Sequence, residues 1–189
     1  MKITLAIDTS TARTQFALLD GGKLLWQEFS DGATTHGDVL AKFGAIASKS
    51  KIDQVIVSMG PGPFTGLRTG IIFARTFAFA RAIPVHGICS LDAIAFGIKV
   101  PEFIVATDAR RKEIYWAKYL DGVRVGEPKV TAPTELPNLP IYGEGAFKYR
   151  LTTDQNHLYP DLTSFPHLNI VNQPMYLRHP DAVPTAERT

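Results

Sequence analysis

The segment that most constrains this chain runs from Asp53 to Ala82, where an apolar stretch, a glycine-rich turn and a second, longer apolar stretch follow one another. The spacing predicts a buried strand over Asp53 to Met59 and a helix from Phe64 to Ala82, which ends before Pro84. This helix is apolar around nearly its whole circumference, so it needs burial on more than one face. We therefore expect an α/β fold in which the helix covers a sheet.

One face of the predicted helix carries only small residues, spaced four apart. They are Gly66, Gly70, Ala74, Ala78 and Ala82. Such a stripe lets another helix approach closely. Two interpretations stay open: an unusually buried core helix, or an exposed face that contacts another copy or a partner protein, completed by a helix over His36 to Ser48. The interface predicted in the second case is Val39, Leu40, Phe43, Gly66, Gly70, Ala74, Phe77 and Ala78.

The N-terminal part of the chain predicts three antiparallel strands before the first helix. They cover Lys2 to Asp8, Thr14 to Leu19 and Lys23 to Phe29, and Gly21-Gly22 predicts a tight turn between the last two. With the helices and strand described above, the order becomes three strands, a helix, a strand and a helix, which is an α/β pattern.

The pattern partly restarts in the second half of the chain. Val85 to Cys89 predicts a short strand, and Ser90 is expected to cap a helix over Leu91 to Gly97. Two further strands are then predicted, at Phe103 to Thr107 and at Glu113 to Leu120.

Two related half-domains follow from this restart, one at residues 1–99 and a smaller one at residues 100–189. The second is rich in proline, which cuts it into short strands and loops. We expect it to be less helical than the first.

The composition excludes several classes of protein. Hydrophobic residues make up 45% of the chain, which excludes a disordered protein. A net charge of +2 gives little long-range attraction for nucleic acid, so any RNA contact would have to be local. The single cysteine, Cys89, allows no internal disulfide and is interpreted as a buried thiol. We expect neither a signal peptide nor a membrane span, and a cytoplasmic location.

Two short segments could hold a nucleotide or a phosphate. One is Asp8 with Thr9 at the end of the first strand, and the other contains Gly60, Gly62 and Gly66 before the long helix. Glycines let backbone N–H groups approach an anion, and a helix N-terminus favours negative charge. The alternative is that the glycines serve only an unusual backbone conformation and that Asp8 stabilises a turn.

Other candidate chemistry is sparse. The five histidines are scattered without a pair at metal-binding spacing, so we predict no metal site and no catalytic residue. Arg110, Arg111 and Lys112 follow Asp108 in a predicted hairpin turn and could contact RNA phosphates or an acidic partner. The commoner explanation of such a cluster is a solvated turn.

Five segments, in order, match a known family. They are AIDTST at 6–11, GPGPFTGLRTG at 60–70, DARRKEIY at 108–115, YGEG at 142–145 and PMYLR at 174–178. Together they resemble the TsaB family. The resemblance implies a duplicated ribonuclease-H-like fold, as in actin-like ATPases. It also implies a role beside the catalytic relative TsaD, which transfers a threonylcarbamoyl group to the adenosine next to the anticodon of ANN-reading tRNAs.

The resemblance also implies that this chain is a pseudo-enzyme. Catalytic relatives carry a HxxxH metal pair at the positions that Ser90 and Ile94 occupy here. An isoleucine cannot bind a metal, so the chemistry should belong to the partner. Thr9 and Ser10 follow Asp8 where actin-like kinases usually have a glycine, so we expect no intrinsic cofactor, with ATP used by the complex. Pro63 stands where the family commonly has serine.

The partners implied are a TsaD-type catalytic subunit at the paired helices, a third ATPase subunit, a second copy through the same helices, and tRNA indirectly; no membrane is implied. Two other functions stay open. One is an enzyme, either a glycoprotease-like metallopeptidase or an ATP-dependent kinase. The other is a stand-alone homodimer without an obligatory partner.

Overall fold

Two β-sheets and four α-helices make up the chain in a computed structural model, which describes residues 2–32 and 36–178. The strands are β1 (Ile3–Asp8), β2 (Thr14–Asp20), β3 (Lys23–Ser30), β4 (Gln54–Ser58), β5 (Val85–Ile88), β6 (Glu102–Asp108), β7 (Ile114–Leu120), β8 (Val123–Thr131) and β9 (Ile141–Tyr142). The helices are α1 (His36–Ala47), α2 (Phe64–Ala80), α3 (Ser90–Ala95) and α4 (Glu144–Lys148). Short 3-10 helices lie at Pro133–Glu135 and Leu162–His167. None of the described helices is long and apolar enough to cross a membrane.

The two sheets repeat one strand arrangement. The first has the order β3-β2-β1-β4-β5 and the second β8-β7-β6-β9. In each, the first strand pairs antiparallel with the next one in sequence and parallel with the strand that follows later. This is the duplicated ribonuclease-H-like, actin-like fold, as expected, with a smaller second sheet.

The outer face of the first sheet is covered by α1 and α2. Side chains alternate along β1, so Leu5 and Ile7 lie on the face that meets the helices while Ala6 lies on the other face. Leu5 and Ile7 share a buried cluster with Leu40 of α1 and Leu67 of α2. A helix that is apolar nearly all round obtains its burial in this way from the sheet and from α1.

Helix α3 lies between the two sheets. Its Ala93 packs with residues of the first sheet, whereas its Leu91 and Ile94 pack with Phe103 and other residues of the second. The outer face of the second sheet is covered by α4, whose Ala146 is fully buried.

The predicted boundary between residues 1–99 and 100–189 falls between the two sheets. However, residues 161–176 return to the first sheet. Phe165 packs in the cluster of Ala6, Val171 N–H donates to Gly87 O at 2.8 Å, and Met175 N–H donates to Met59 O at 2.7 Å. The second part of the chain therefore contributes to the core of the first, and the division into two domains stays a prediction.

Several local predictions are wrong at element ends. Helix α2 ends at Ala80, because Ala82 takes a left-handed conformation with a φ of 52°. Ser90 lies inside α3, and its hydroxyl donates to Pro61 O at 3.0 Å instead of capping the helix. The sequence did not predict strand β8, the short strand β9 or helix α4, because proline and glycine interrupt their periodicity.

The small-residue stripe faces the interior, which favours the interpretation of α2 as a buried core helix, and a partner contact through the stripe stays a prediction. Gly66, Gly70, Ala74 and Ala78 are all buried. A Cβ built on Gly70 would collide with the side chain of Thr9, which shows how closely α2 approaches the end of β1. Only residues without a large side chain allow that approach.

The predicted interface residues of α1 are buried as well. Val39, Leu40 and Phe43 belong to the core cluster beneath the helices. Phe77 of α2 is half-buried and packs against the same cluster. These side chains hold the helices on the sheet, and a direct partner contact through them stays a prediction.

The first prediction concerns Ala74, whose side chain is fully buried. Ala74→Arg would place an unpaired guanidinium between α2 and the sheet, so we expect a loss of at least about 3 kcal/mol of unfolding free energy. Urea denaturation followed by circular dichroism measures this change. Thr76→Arg is the matched control, because Thr76 is exposed on the same helix, and it should unfold within about 0.5 kcal/mol of wild type. Equal stability of both variants would contradict the buried position of the stripe.

Candidate functional site

The five residues predicted to hold a nucleotide or phosphate lie together in the structure. The hydroxyl of Thr9 donates to Gly66 O at 2.9 Å, which joins the end of β1 to the start of α2. A Cβ on Gly62 would collide with the backbone of Ser10, so the glycine-rich loop lies directly on the segment after Asp8. Gly60 follows β4 and contacts the start of α3, since Ser90 N–H donates to Gly60 O at 2.8 Å.

Burial sets the limits of this cluster. All five residues of the cluster are buried: Asp8, Thr9, Gly60, Gly62 and Gly66. Thr9 fills the space beside Gly70. In this conformation these five residues therefore present little accessible surface to a phosphate. Nucleotide binding at these residues stays a prediction, and it would require the loop to move away from Ser10.

Asp8 is a fully buried carboxylate with incomplete hydrogen bonding. Its Oδ1 accepts from Ser10 Oγ at 2.7 Å and from Ser10 N–H at 3.3 Å. Its Oδ2 and the nearby Ser58 Oγ are both buried without a hydrogen-bond partner among the described residues. Burial raises the pKa of Asp8, and its polar neighbours Ser58, Ser10 and Gln15 offset part of that rise.

His36 closes the same region from the side of α1. Its Nδ1 lies 2.6 Å from Thr14 Oγ1, and its ring packs beside Gly66. Burial lowers the pKa of His36; the carboxylate of Asp8 acts in the opposite direction, while the charge of Arg110 lowers it further. The turn that carries Arg110 therefore lies near the N-terminus of α1, although it belongs to the second sheet.

The outer side of α2 is the largest exposed apolar feature of a described helix. Its residues recur three or four apart and are Phe64, Arg68, Ile72, Arg75 and Phe79, which we call the outer face of α2. Phe79 is 88% exposed and Ile72 is 54% exposed. Tyr176 extends the outer face at its N-terminal end, with its ring centroid 5.0 Å from that of Phe64.

Sequence reasoning missed this outer face because it followed the small residues. Once the small residues face the sheet, the large residues opposite them must face solvent. The signal was present in the spacing of Phe64, Ile72 and Phe79, which are eight and seven residues apart and so share one side of a helix.

Comparison with known proteins identifies the family. A family model described as "TsaD: tRNA N6-adenosine threonylcarbamoyltransferase" matches residues 39–164. An uncharacterised protein of Mycobacterium tuberculosis is 36% identical over 200 residues, which cover 96% of this chain and 94% of that protein. The TsaB protein of Escherichia coli, named for tRNA threonylcarbamoyladenosine biosynthesis, is 32% identical over 126 residues, or 61% of this chain and 54% of that protein.

The chain belongs to the TsaB family. It spans only 57% of the length of a Mycobacterium leprae relative that is 38% identical over 97% of this chain. Among solved structures, YeaZ from Pseudomonas aeruginosa superposes with a TM-score of 0.70 at 24% identity, covering 89% of this chain and 90% of that chain. At that identity the likeness shows the fold alone.

The two positions at which the sequence comparison expects a metal pair in catalytic relatives have a structural role in this TsaB-family chain. Ser90 and Ile94 are buried on α3, and the Ser90 hydroxyl is engaged by Pro61 O. The helix is fixed by Asp92, whose Oδ1 accepts from Tyr119 OH at 2.8 Å and from Arg124 Nε at 2.9 Å. Within residues 2–32 and 36–178, no group of three or more His, Cys, Asp or Glu side chains could hold a metal ion.

Cys89 is a buried thiol without a reactive environment. Burial raises its pKa to about 12, and the charge of Asp92 adds to that effect. Because the thiolate is the reactive form, Cys89 is inert at neutral pH. The interpretation of this residue as a core thiol is confirmed.

A cavity of about 430 Å³ lies between the two halves and is lined in part by Arg13, Gln15 and Tyr159. Its basic group is already engaged. The guanidinium of Arg13 lies between the rings of Phe29 and Tyr159, at 4.2 and 3.8 Å from their centroids, and pairs with Asp31 at 2.6 Å. The cavity therefore offers no unpaired cation from Arg13 to an anionic ligand.

The second prediction follows from the buried carboxyl of Asp8. Its folded-state pKa is raised above the usual 3.8, so the stability that its protonated form provides is present below about pH 4 and is lost as the pH rises. Asp8→Asn removes this loss and keeps an oxygen that accepts from Ser10. We expect the variant to unfold at the same or a higher temperature than wild type at pH 7, with the advantage shrinking toward pH 4.

Thermal unfolding at several pH values between 4 and 7 measures this difference. Asp121→Asn is the control for replacing a carboxylate, because Asp121 lies in an exposed turn, and it should unfold close to wild type at pH 7. If Asp8→Asn were less stable at pH 7 and equal to wild type at pH 4, the fold would favour the ionised form and the account of Asp8 would be wrong.

Proposed function

We propose that this chain is a non-catalytic partner of a TsaD-type transferase in tRNA threonylcarbamoyladenosine biosynthesis. The transferase would modify the adenosine next to the anticodon of ANN-reading tRNAs. The observation that carries the proposal is the outer face of α2, an apolar surface on a helix whose other sides are already covered. In this proposal the complex, rather than this chain, uses ATP, a third ATPase subunit joins it, and it works in the cytoplasm.

The non-catalytic role is supported by what the chain does with the positions that carry chemistry in relatives. Ile94 has no atom that could bind a metal, and the hydroxyl of Ser90 donates to a backbone carbonyl. The loop that could cradle a phosphate is packed against Ser10 instead. Each position contributes packing or internal hydrogen bonds, which is what a scaffold requires.

The partner role is supported by the composition and exposure of the outer face of α2. Aromatic residues and arginine are enriched at protein interfaces, and this face presents Phe64 and Phe79 with Arg68 and Arg75. Burying a side chain as exposed as Phe79 contributes about 2 kcal/mol. The guanidinium of Arg68 lies over the ring of Phe64, 5.6 Å from its centroid, so the two side chains form a cation–π contact on this face.

A protein with the same duplicated fold is a suitable occupant of this face, because its corresponding helix would present a similar apolar side. For the same reason a second copy of this chain could occupy it through an isologous contact. A homodimer is therefore the second candidate, supported by the same exposed residues. The two states would compete for one surface.

The third prediction tests this surface with a double variant, Ile72→Glu with Phe79→Glu. Both side chains are exposed, so the fold should persist with an unfolding temperature within about 2 °C of wild type. Two carboxylates at the centre of an apolar interface should weaken binding to the same organism's TsaD-type subunit at least about 100-fold. Sedimentation velocity and calorimetric titration measure complex formation.

Val123→Glu is the matched control, because Val123 is 68% exposed in the hairpin between β7 and β8, in the other half of the chain. It should bind the subunit as wild type does. Undiminished binding by the double variant would sink the assignment of the surface. If the wild-type chain forms only homodimers, and the double variant does not form them, the second candidate is established instead. Catalytic turnover by the pure chain would show that it is an enzyme.

A further inference from the structure

We propose that the turn formed by Arg110, Arg111 and Lys112 binds the phosphate backbone of the RNA substrate while a partner occupies the outer face of α2. This inference rests on the proposed function, since it needs an RNA substrate and a partner. It assigns to this chain a direct contact with RNA.

The backbone of the turn is unusual. Arg110, Arg111 and Lys112 have φ angles of 62°, 52° and 63°, so three successive residues with large side chains lie in the left-handed region. Glycine would adopt that conformation without steric penalty, yet the chain has three basic side chains there. Strained residues of this kind concentrate at functional sites.

The turn is held firmly by its own flanks. Ala109 N–H donates to Glu113 O at 3.0 Å and Glu113 N–H donates to Arg110 O at 2.9 Å. These two bonds close the loop between the end of β6 and the start of β7. Asp108 Oδ1 accepts from Arg110 N–H at 3.2 Å. The three side chains are exposed and project from a defined base, so a polyanion could bind them with little loss of loop entropy.

The neighbouring carboxylates are engaged by other residues. Asp108 accepts from Lys148 Nζ at 2.6 Å and from Tyr149 OH at 3.2 Å, and Glu113 pairs with Arg178. Arg110 Nε is 4.0 Å from Asp108 Oδ2, at the outer limit of an ion pair, and its side chain is 63% exposed. Arg110 and Lys112 therefore keep positive charge at the surface of the turn that the small net charge of the chain would not suggest.

The turn lies beside the proposed partner surface. Tyr176 packs on Phe64 at the start of α2, and two residues later Arg178 pairs with Glu113, directly after the turn. A protein bound along the outer face of α2 would therefore end close to the basic turn. RNA held by that protein would come within reach of the turn, and closely spaced cations suit the regular phosphates of a nucleic acid.

The test uses the complex of this chain with the same organism's TsaD-type subunit and a tRNA that reads an ANN codon. The variant is Arg110→Glu with Lys112→Glu, and the control is Lys49→Glu with Lys51→Glu, two exposed lysines after α1. Both double variants change the net charge equally. Binding of tRNA is measured by fluorescence anisotropy between 50 and 200 mM salt, after sedimentation has shown that each complex is intact.

We expect the Arg110 and Lys112 variant to form the complex normally and to bind tRNA at least about tenfold more weakly at 50 mM salt. The slope of log affinity against log salt should fall by about 1.5, corresponding to two lost phosphate contacts. The control should keep the affinity and the slope of wild type, and Arg110→Lys with Lys112→Arg should restore most of the binding.

Three results would overturn the proposal while leaving the proposed function standing. Unchanged tRNA binding by the variant would show that the turn does not contact RNA. Loss of the protein complex would assign the turn to an acidic surface of the partner. If the variant and the control lost tRNA affinity equally, the effect would come from the overall charge of the protein and not from the turn. By contrast, a wild-type chain that forms no complex would contradict the proposed function itself.

Discussion

The contact between α2 and the end of β1 sets the arrangement of the rest of the structure. Thr9 donates to Gly66 O and occupies the space that a side chain on Gly70 would need. This approach is possible only because the side of α2 that faces the sheet carries glycine and alanine. With that side turned inward, the large residues opposite it are exposed, and the glycine-rich loop before the helix is pressed onto Ser10. The exposed outer face of α2, which we propose as the partner surface, and the covered glycine-rich loop are two consequences of one packing constraint.

The sequence predicted most of the fold because strand and helix periods are strong in the first half. The strands and long helices of the first half lie within one or two residues of their predicted bounds. The orientation of α2 stayed open, because spacing identifies which residues share a side of the helix but not which side meets the sheet. Thr9 decides that question, and its proximity to Gly70 is a contact between distant parts of the chain. The return of residues 161–176 to the first sheet is likewise long-range and leaves no periodic signal.

The candidate site shows the same limit. The sequence marked Asp8 and the glycine-rich segment as two separate candidates, and the structure shows that they lie together and are covered. A buried carboxylate whose Oδ2 has no partner among the described residues, beside an unpaired Ser58 hydroxyl, is costly for a fold to keep. The region connects β1, α1 and α2, and the contact between His36 and Thr14 lies beside it. This covering agrees with the proposal that the chemistry belongs to a partner and that this chain supplies a binding surface.

The most direct measurement is hydroxyl-radical footprinting of the wild-type chain, alone and bound to its TsaD-type subunit, with side-chain oxidation read by mass spectrometry. Phe79 and Val123 are both strongly exposed in the chain, so each should react readily when it is alone. The account predicts that oxidation of Phe79 falls several-fold in the complex while that of Val123 is unchanged. Protection of Val123 with no protection of Phe79 would contradict it, because the partner would then bind the second sheet instead of the outer face of α2.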